Sequence, residues 1–315
     1  MSAQAVIGVD VAKRTFDACI TDASKPKTYA NNKSGIKSFI KSLQLLTAPF
    51  VVMEATGSYQ RALTRMLAAA GITYSVVNPR TIRHFAKAGN ILAKTDHIDA
   101  RVITLYGERM GPRITIPPTE AAIRLKALVA RRRTLVDFAA EEKKRAQTIE
   151  PFLRDDIHEM IASLQQKIAA RDRQIEQLIH GFESWATQAQ LLNTVPGVGK
   201  VLISTLLAGL PELGMLPHKQ IAALVGVAPY NDDSGQHAGD RRCWGGRPHV
   251  RAALYMATVS AIRCNPVIKA YYQQLKDRGK KSKVAIVACM HKLLRILNAM
   301  LRDSKPWQTQ TTQIA

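Results

Sequence analysis

Short apolar runs alternate with helical patterns between residues 4 and 110, and this alternation constrains the fold more than any other feature of the chain. Apolar runs bounded by polar residues, Gly or Pro are typical of strands, whereas apolar residues repeating every three or four positions are typical of amphipathic helices. The order of these patterns predicts an α/β domain. The predicted strands are 4–10, 15–20, 49–54 and 72–77, and the predicted helices are 34–46, 59–70 and 91–110.

The composition changes after the proline-containing breaks at 111–112 and 117–118 of the 315-residue chain. Between 119 and 185 no strand pattern occurs. Apolar positions there recur every three, four or seven residues, which predicts two long helices separated at Glu150-Pro151 and paired with each other or with a second subunit. We predict an α/β domain over 1–118, a helical coiled-coil spacer over 119–189, a mainly helical domain over 190–307 and a polar tail over 308–315.

The distribution of charge predicts the kind of partner. Lys and Arg number 45 against 24 Asp and Glu, which gives a net charge of +21. Residues 1–118 carry a net +9 and residues 190–315 a net +11, whereas the segment between them carries only +1. Two basic blocks around a nearly neutral middle predict two surfaces that touch nucleic-acid phosphates, with binding that weakens steeply as salt rises.

Several classes of protein are excluded at this stage. No apolar run reaches the roughly 18 residues of a membrane-spanning helix, and the first apolar run contains Asp10 and lacks the basic start of a signal peptide. The four cysteines are scattered without a C-x-x-C pair, which argues against a zinc ribbon or a disulfide framework. We therefore expect a cytoplasmic protein, associated with the nucleoid, that has no membrane partner.

Four acidic residues of the first domain, which we call the carboxylate tetrad, stand out by their context. Asp10 lies in the first predicted strand, Glu54 ends another, and Asp96 and Asp99 share one face of the predicted helix that follows. Carboxylates that converge in one cleft repel each other, and Mg²⁺ or Mn²⁺ relieves that repulsion and can orient a phosphodiester. Taken singly, each has a structural alternative, as a turn residue, as an arginine partner or as a helix cap.

The segment Pro196-Gly197-Val198-Gly199-Lys200 separates two apolar helical patterns and resembles a helix-hairpin-helix motif. In that motif the glycines let backbone N–H groups at a helix start approach a phosphate. The spacing does not match a P-loop, which requires G-x-x-x-x-G-K-[ST]. A plain turn between packed helices is the alternative.

A glycine-rich stretch at 226–247 contains Ser234 and three arginines, and Arg251 follows it, which predicts a flexible, phosphate-facing loop. A serine needs a base or a metal to become a nucleophile, and His237 and His249 are candidate bases. Asp232 and Asp233 add negative charge beside the serine, and an Asx turn is the structural alternative for this segment. The candidate nucleic-acid-binding residues of this half are Gly197, Gly199, Lys200, Arg241, Arg242, Arg247, Arg251, Lys280, Lys281 and Lys283.

Nine segments together resemble one family, the DEDD-type insertion-sequence transposases, also described as bridge-RNA-guided recombinases, with the Piv pilin-gene invertases as relatives. The resemblance runs from about residue 4 to Trp307, and it depends on the order and spacing of the motifs more than on any one of them. The segments are GVDVAK, MEATGSY, VVNPR, KTDHIDA, NTVPGVGK, DSGQ, WGGRPHVRAALYM, NPVIKAYY and ACMHKLLRILNAML.

The resemblance implies a RuvC-like, RNase H-type first domain in which the carboxylate tetrad binds Mg²⁺ or Mn²⁺, with no organic cofactor. It implies that Ser234 attacks DNA and becomes covalently joined to it. The implied partners are donor and target DNA, a structured non-coding guide RNA from the element, and further copies of the chain, as a dimer and as a tetramer in which subunits share active sites.

Two other functions remain open from the sequence alone. The chain could be a RuvC-like metal-dependent nuclease or junction resolvase that hydrolyses DNA with water and leaves Ser234 idle. It could instead be a non-catalytic protein that bridges nucleic acids, although four acids in one cleft are poorly suited to a surface that only holds phosphate.

Overall fold

The computed structural model describes residues 5–20, 25–55, 57–91, 96–231, 233–234, 237–238 and 241–308, with the backbone alone for 96–98, 233–234 and 237–238. The chain forms two compact units, Met1–Pro118 and Thr119–Ala315. The division falls directly after Pro117-Pro118, where neither a strand nor a helix continues.

The first unit is a five-stranded mixed sheet with helices on both faces. The sheet has the order β3-β2-β1-β4-β5; β1, β4 and β5 are parallel, whereas β1, β2 and β3 are antiparallel. Its elements are β1 (Val6–Val11), β2 (Thr15–Cys19), β3 (Lys27–Ala30), α1 (Lys33–Leu43), β4 (Phe50–Glu54), α2 (Arg61–Ala69), β5 (Thr73–Val77), α3 (Pro79–Ala88) and α4 (Asp96–Met110).

Alternation along β1 and β4 places apolar side chains on both faces of the sheet, because successive strand residues point to opposite sides. On one face Ile7, Val9 and Val51 pack with α1 and α2. On the other face Phe50 and Val52 pack with α3 and α4. The predicted α/β class of the first domain is therefore confirmed.

Two elements of this unit are absent from the sequence prediction. The strand β3 is mostly polar, and its single buried side chain, Tyr29, stacks on Phe16 of β2 with ring centroids 5.4 Å apart. Helix α3 follows β5 after one residue, Asn78, whose side-chain oxygen accepts a hydrogen bond from the Arg80 N–H at 2.9 Å. Both segments are stabilised by tertiary contacts, which the local pattern of apolar residues does not indicate.

The second unit is mainly helical, which confirms the mainly α character predicted for the C-terminal part. Its elements are α5 (Glu120–Arg145), a 3₁₀ turn (Pro151–Leu153), α6 (Arg154–His180), α7 (Glu183–Asn193), α8 (Lys200–Gly209), α9 (His218–Val225), β6 (Asp233–Ser234), β7 (His237–Ala238), α10 (Pro248–Cys264), α11 (Pro266–Asp277) and α12 (Ser282–Asp303).

Helices α5 and α6 lie antiparallel on either side of the break at Glu150-Pro151. Toward the turn that joins the two helices, Leu135 of α5 packs with Leu164 of α6. At the other end, Leu125 and Ile175 belong to the same core as α8, α10 and α12. The predicted spacer boundary after residue 189 falls inside α7, within the compact unit Thr119–Ala315.

Helix α12 lies in that core. Among the described residues it is the one helix long and apolar enough to cross a membrane by length and composition, and 44% of its apolar stretch is buried in the unit. Its buried Asn298 accepts a hydrogen bond from the Gly214 N–H at 2.8 Å and donates to the Leu216 carbonyl at 3.1 Å. These polar contacts, together with its packing, identify α12 as a core helix of this unit.

Candidate active site

Asp10 and Glu54 lie side by side on one face of the sheet. In the parallel register Val6 is level with Phe50 and Val9 with Met53, so the ladder brings Asp10 next to Glu54 on the adjacent strand. Neighbouring strands lie about 4.8 Å apart, and residues level with each other share a face. Since Phe50 and Val52 pack against α3 and α4, Glu54 and Asp10 belong to that same face, at the ends of their strands.

Helix α4 approaches this face at Gly8. A methyl group on Gly8 would lie 2.4 Å from the Ala100 carbonyl oxygen and 2.3 Å from the Thr104 backbone nitrogen, so only glycine permits this contact. The Thr104 hydroxyl accepts a hydrogen bond from the Gly8 N–H at 3.1 Å and lies 3.0 Å from the Cys19 carbonyl oxygen. The helix is thus hydrogen-bonded to both strands of the β1–β2 hairpin.

The direction of α4 brings its first turn to the Asp10 end of the strands. Gly107 packs on Val6, at the start of β1, whereas Ala100 and Thr104 pack on Gly8, two residues before Asp10. The helix therefore runs antiparallel to β1, and Asp99 lies near its beginning, partly exposed. Asp96 is the first residue of α4, and its side chain lies outside the described part of the structure.

Asp17 is an acid of this region that the sequence analysis missed. It is the cross-strand partner of Asp10 in the β1–β2 register, it is buried, and the Thr28 hydroxyl donates a hydrogen bond to its carboxylate. The signal was available, because a tight turn at 12–14 fixes a hairpin register in which residue 17 faces residue 10.

The C-terminal ends of β1 and β4, with the start of α4, form what we call the carboxylate edge. Its functional groups are carboxylates on regular elements, which suit a divalent cation. Within the described side chains, which include Asp10, Glu54 and Asp99 but not Asp96, no three His, Cys, Asp or Glu residues are close enough together to hold a metal ion. The described part of the structure therefore brings the strand carboxylates and the start of α4 to one edge without forming a closed site.

Ser234 lies in a short antiparallel hairpin of the second unit. In the β6–β7 ladder Asp233 pairs with Ala238 and Ser234 pairs with His237. The side chains of residues 232–240 lie outside the described part, so the predicted roles of Asp232 and Asp233 fall there as well.

Two aromatic residues that were not selected from the sequence, Tyr230 and Trp244, lie in contact at the base of this hairpin. Tyr230 and Arg242 form a backbone bridge, with N···O distances of 3.0 and 3.3 Å. The rings of Tyr230 and Trp244 lie 5.3 Å apart, and Trp244 is 61% exposed.

The glycines after the hairpin allow a close approach to the end of α9. Gly246 has φ +69°, and a methyl group there would lie 2.3 Å from the Gly226 nitrogen. The Arg247 N–H donates to the Leu224 carbonyl at 2.8 Å, and the Arg251 guanidinium donates to the Gly245 carbonyl at 2.5 Å. This stretch, predicted to be a flexible phosphate-facing loop, is instead packed against α9 over Gly245–Arg247.

Arg247 makes its strongest contacts within the protein. Its guanidinium donates two hydrogen bonds to the Glu212 carboxylate, at 2.6 and 2.7 Å, and one to the Gly209 carbonyl at 2.8 Å. Burial alone would raise the pKa of Glu212, but the hydrogen bonds and charge of Arg247 outweigh it and hold that pKa below its ordinary value. Arg247 therefore stabilises the α8–α10 contact in this structure.

The two histidines predicted as possible bases occupy different surroundings. His237 is the register partner of Ser234, as described above. His249 is half-buried against Gly209, and burial lowers its pKa, with further lowering by Arg133, Lys126 and Arg247. The lowered pKa favours the neutral imidazole, and His249, in the first turn of α10, packs against Gly209 of α8.

The predicted helix-hairpin-helix loop joins α7 to α8. Gly197 has φ +91°, and a methyl group there would meet Ala261 of α10 at 2.6 Å, so this glycine is needed for packing. Gly199 is the N-cap of α8, makes no side-chain cap, and has open space around its Cα among the described residues. The exposed Lys200 forms an ion pair with Glu176 at 2.8 Å. A phosphate could therefore approach the backbone at Gly199, next to a lysine already paired with an acid.

The remaining predicted nucleic-acid-binding residues are exposed. Arg241 and Arg242 follow the hairpin in the sequence, and the basic run Lys280, Lys281 and Lys283 lies at the start of α12. Their exposure suits contact with a phosphate backbone and does not by itself identify one.

Comparison with known proteins gives matches along most of the chain. A transposase model of the DEDD, IS110 type matches residues 7–149, and a model described as Transposase IS116/IS110/IS902 family matches residues 189–273. The pilin gene-inverting protein of Moraxella lacunata is 30% identical over 311 residues, covering 96% of this chain and 97% of its own.

Two further relatives extend the comparison. The pilin gene-inverting protein of Moraxella bovis is 29% identical, with the same coverage of both chains. An uncharacterized 42 kDa protein of insertion element IS900 from Mycobacterium paratuberculosis is 27% identical over 166 residues, covering 50% of this chain and 41% of its own.

Proposed function

The chain belongs to the IS110/IS116/IS902 family of insertion-sequence transposases, and from this premise we propose that it cuts and rejoins DNA through a covalent bond between Ser234 and a DNA phosphate. DNA recombination is the class of reaction that the family membership supports. The observation that supports this more specific mechanism is the position of Asp10 and Glu54. They lie level with each other at the strand ends where α4 begins.

The first unit supplies the carboxylate tetrad, and its mixed sheet with helices on both faces supports a RuvC-like assignment. Asp10, Glu54, Asp96 and Asp99 would hold Mg²⁺ or Mn²⁺. A bound divalent ion supplies charge stabilisation for the attacking and leaving oxygens of a phosphodiester. Asp10 and Glu54 are held in fixed positions, because each belongs to a strand that is hydrogen-bonded to a neighbouring strand on both sides.

The second unit supplies the nucleophile. The Ser234 oxygen attacks phosphorus, a Ser Oγ–P bond forms, and one P–O bond to deoxyribose breaks. The released deoxyribose hydroxyl takes up a proton, and the serine proton passes to a base. His237, opposite Ser234 in the ladder, is our candidate for that base. Attack by the hydroxyl of another strand on the Ser234 phosphodiester then restores the serine and joins that strand.

Oligomerisation and RNA guidance form the remaining part of the proposal. The part of the α5–α6 pair next to its connecting turn exposes the apolar side chains of Phe138, Phe152 and Met160. Such exposed apolar residues support association with a second copy. A dimer that forms a tetramer would bring tetrad and serine from different subunits to one DNA. A guide RNA would pair with donor and target DNA, while the basic residues of the protein hold backbones. Such a protein would act in the cytoplasm, at the nucleoid.

A covalent-trapping assay tests this function. The full chain would be incubated with Mg²⁺, labelled junction DNA and RNA transcribed from the flanks of the element, and then resolved on a denaturing gel. We expect a protein–DNA adduct from the wild type and from Ser282→Ala, an exposed serine of α12, and none from Ser234→Ala.

Each outcome discriminates between the candidate functions. Free cleaved DNA without an adduct, unchanged by Ser234→Ala, would support the hydrolytic nuclease or resolvase. DNA binding without cleavage under every divalent ion and RNA supplied would support the non-catalytic bridging protein. An adduct that forms equally without RNA would remove RNA guidance from the proposal and keep the serine chemistry.

A further inference from the structure

The exposed face of α3 is a continuous basic stripe. Its four members follow the spacing i, i+3, i+4 and i+7, which places them on one side of a helix. Each is exposed, and the helix contains no acidic residue. The stripe consists of Arg80, Arg83, His84 and Lys87.

Packing on the other side of α3 fixes the direction of this stripe. Ile82 is buried in the core between α3, α4 and the sheet. Phe85 contacts Tyr106 of α4 edge to face, with ring centroids 5.4 Å apart. Since the apolar side is anchored, rotation of the helix cannot bury the charged side.

Helix α3 begins at the edge of the sheet that carries Glu54. Glu54 is the register partner of Val77, and the Ala55 N–H donates to the Val77 carbonyl at 2.9 Å. Asn78 follows Val77 directly and caps α3. The helix also belongs to the same layer as α4, on the face of the sheet to which Asp10 and Glu54 belong.

Helix α1 provides a natural comparison within the same unit. Lys33, Lys37 and Lys41 form an exposed basic row at i, i+4 and i+8, while Ile36 and Phe39 pack into the opposite core. Both helices are therefore basic, and they differ in the face of the sheet that they cover. Of these two helices, α3 is the one that covers the face to which Asp10 and Glu54 belong.

We propose that the basic stripe of α3 binds the phosphate backbone of the duplex DNA whose strand is cut at the carboxylate edge. The stripe spans about 10 Å along the helix, at 1.5 Å per residue, which is enough for two or three phosphates. Duplex DNA is the occupant because α3 begins directly after Val77, the register partner of Glu54, which puts the stripe beside the duplex that flanks a strand cut at Glu54. This inference rests on the proposed function, and it adds a DNA-binding surface in the first unit.

A binding experiment without chemistry tests it. Fluorescence anisotropy would measure the Kd of the full chain for a labelled 30-base-pair duplex in chelator, at several salt concentrations. The test variant is Arg83→Gln/Lys87→Gln, and the matched control is Lys37→Gln/Lys41→Gln, which removes the same charge at the same spacing. All four side chains are exposed, so circular dichroism and thermal unfolding should be unchanged.

We expect the α3 variant to raise Kd about tenfold at moderate salt and to reduce the slope of log K against log salt by about 2. The α1 control should change Kd less than about twofold and leave the slope unchanged. Equal weakening by both variants, or no change from either, would overturn the proposal.

An RNA arm separates the two nucleic acids. If the α3 variant loses affinity for an RNA hairpin of equal length and keeps its affinity for duplex DNA, the assignment to DNA is wrong. Because no divalent ion is present, these results are independent of cleavage. Failure of the α3 assignment is thus distinguishable from failure of the serine chemistry, which the covalent-trapping assay measures.

Discussion

The carboxylate edge of the first unit and the serine hairpin of the second are positioned by different means. Asp10 and Glu54 lie on strands that are paired with neighbours and packed between two apolar layers. Ser234 lies on a strand of two residues. In the described part of the structure, the base of its hairpin is held by the Tyr230–Arg242 bridge and by the contact of Gly246 with the end of α9.

This difference predicts where each region is sensitive. A sheet distributes the positioning of a side chain over many hydrogen bonds and a large core, so single changes away from the carboxylates should be tolerated. Among the described residues, the hairpin is supported by the Tyr230–Arg242 bridge and by the contact at Gly246, so changes at these positions should affect Ser234. Three substitutions test the comparison, in decreasing order of expected effect.

Glu54→Gln should reduce adduct formation about a thousandfold, because under the proposed function the Glu54 carboxylate would hold a divalent ion whose charge stabilisation would contribute several kcal/mol. Duplex binding in chelator and thermal unfolding should stay close to wild type. The control is Glu108→Gln, an exposed acid of α4 that lies nine positions after Asp99 on the same helix. Equal loss in both variants would show that general charge, and not position at the edge, is responsible.

Gly246→Ala should destabilise the second unit by about 3 kcal/mol and lower adduct formation, because the methyl group would meet the Gly226 nitrogen at 2.3 Å. Gly245→Ala is the matched control. It also has positive φ, at +73°, and open space around its Cα among the described residues, so the cost should be about 1 kcal/mol. Urea unfolding and the trapping assay would measure both, and similar losses would remove the close approach to α9 as the cause.

Thr104→Val should cost about 1–2 kcal/mol of unfolding free energy in the first unit, because the Gly8 N–H loses its acceptor. Adduct formation should fall only a few-fold, since the sheet still holds Asp10 and Glu54. Thr104→Ser keeps the hydroxyl and should restore most of the unfolding free energy. If Thr104→Val abolished adduct formation without loss of stability, the carboxylate edge would be as dependent on single contacts as the serine hairpin.

Much of the first unit follows from local pattern. The apolar runs of β1, β2, β4 and β5 were predicted because each is continuous and bounded by turn residues. The strand β3 and the helix α3 were missed, because Tyr29 is the one buried residue of β3 and α3 exposes a basic face that hides its apolar one. Asp17 was missed for a related reason, since it interrupts an apolar strand and its importance appears only in the register with Asp10.

The candidate site divides in the same way. The four acids were selected by their positions in the predicted strands and on one face of a predicted helix, whereas the role of Ser234 came from the family resemblance. Among the basic residues selected by sequence, Arg247 proved to be paired with Glu212 and Lys200 with Glu176, contacts between residues 35 and 24 positions apart. A sequence pattern does not predict such ion pairs, because a basic residue is the same in the sequence whether it pairs with an acid or is solvated.

The sequence by itself determined most of the strands and helices, except β3 and α3, and it also determined the basic character of both ends and the family to which the chain belongs. These properties depend on residue type and on short periodicities, which are local. Only the tertiary structure decided that α4 runs antiparallel to β1 and brings its first turn to Asp10, and that α3 covers the face of the carboxylates while α1 covers the other. Those decisions depend on long-range packing at positions such as Gly8, where the absence of a single methyl group lets two elements meet.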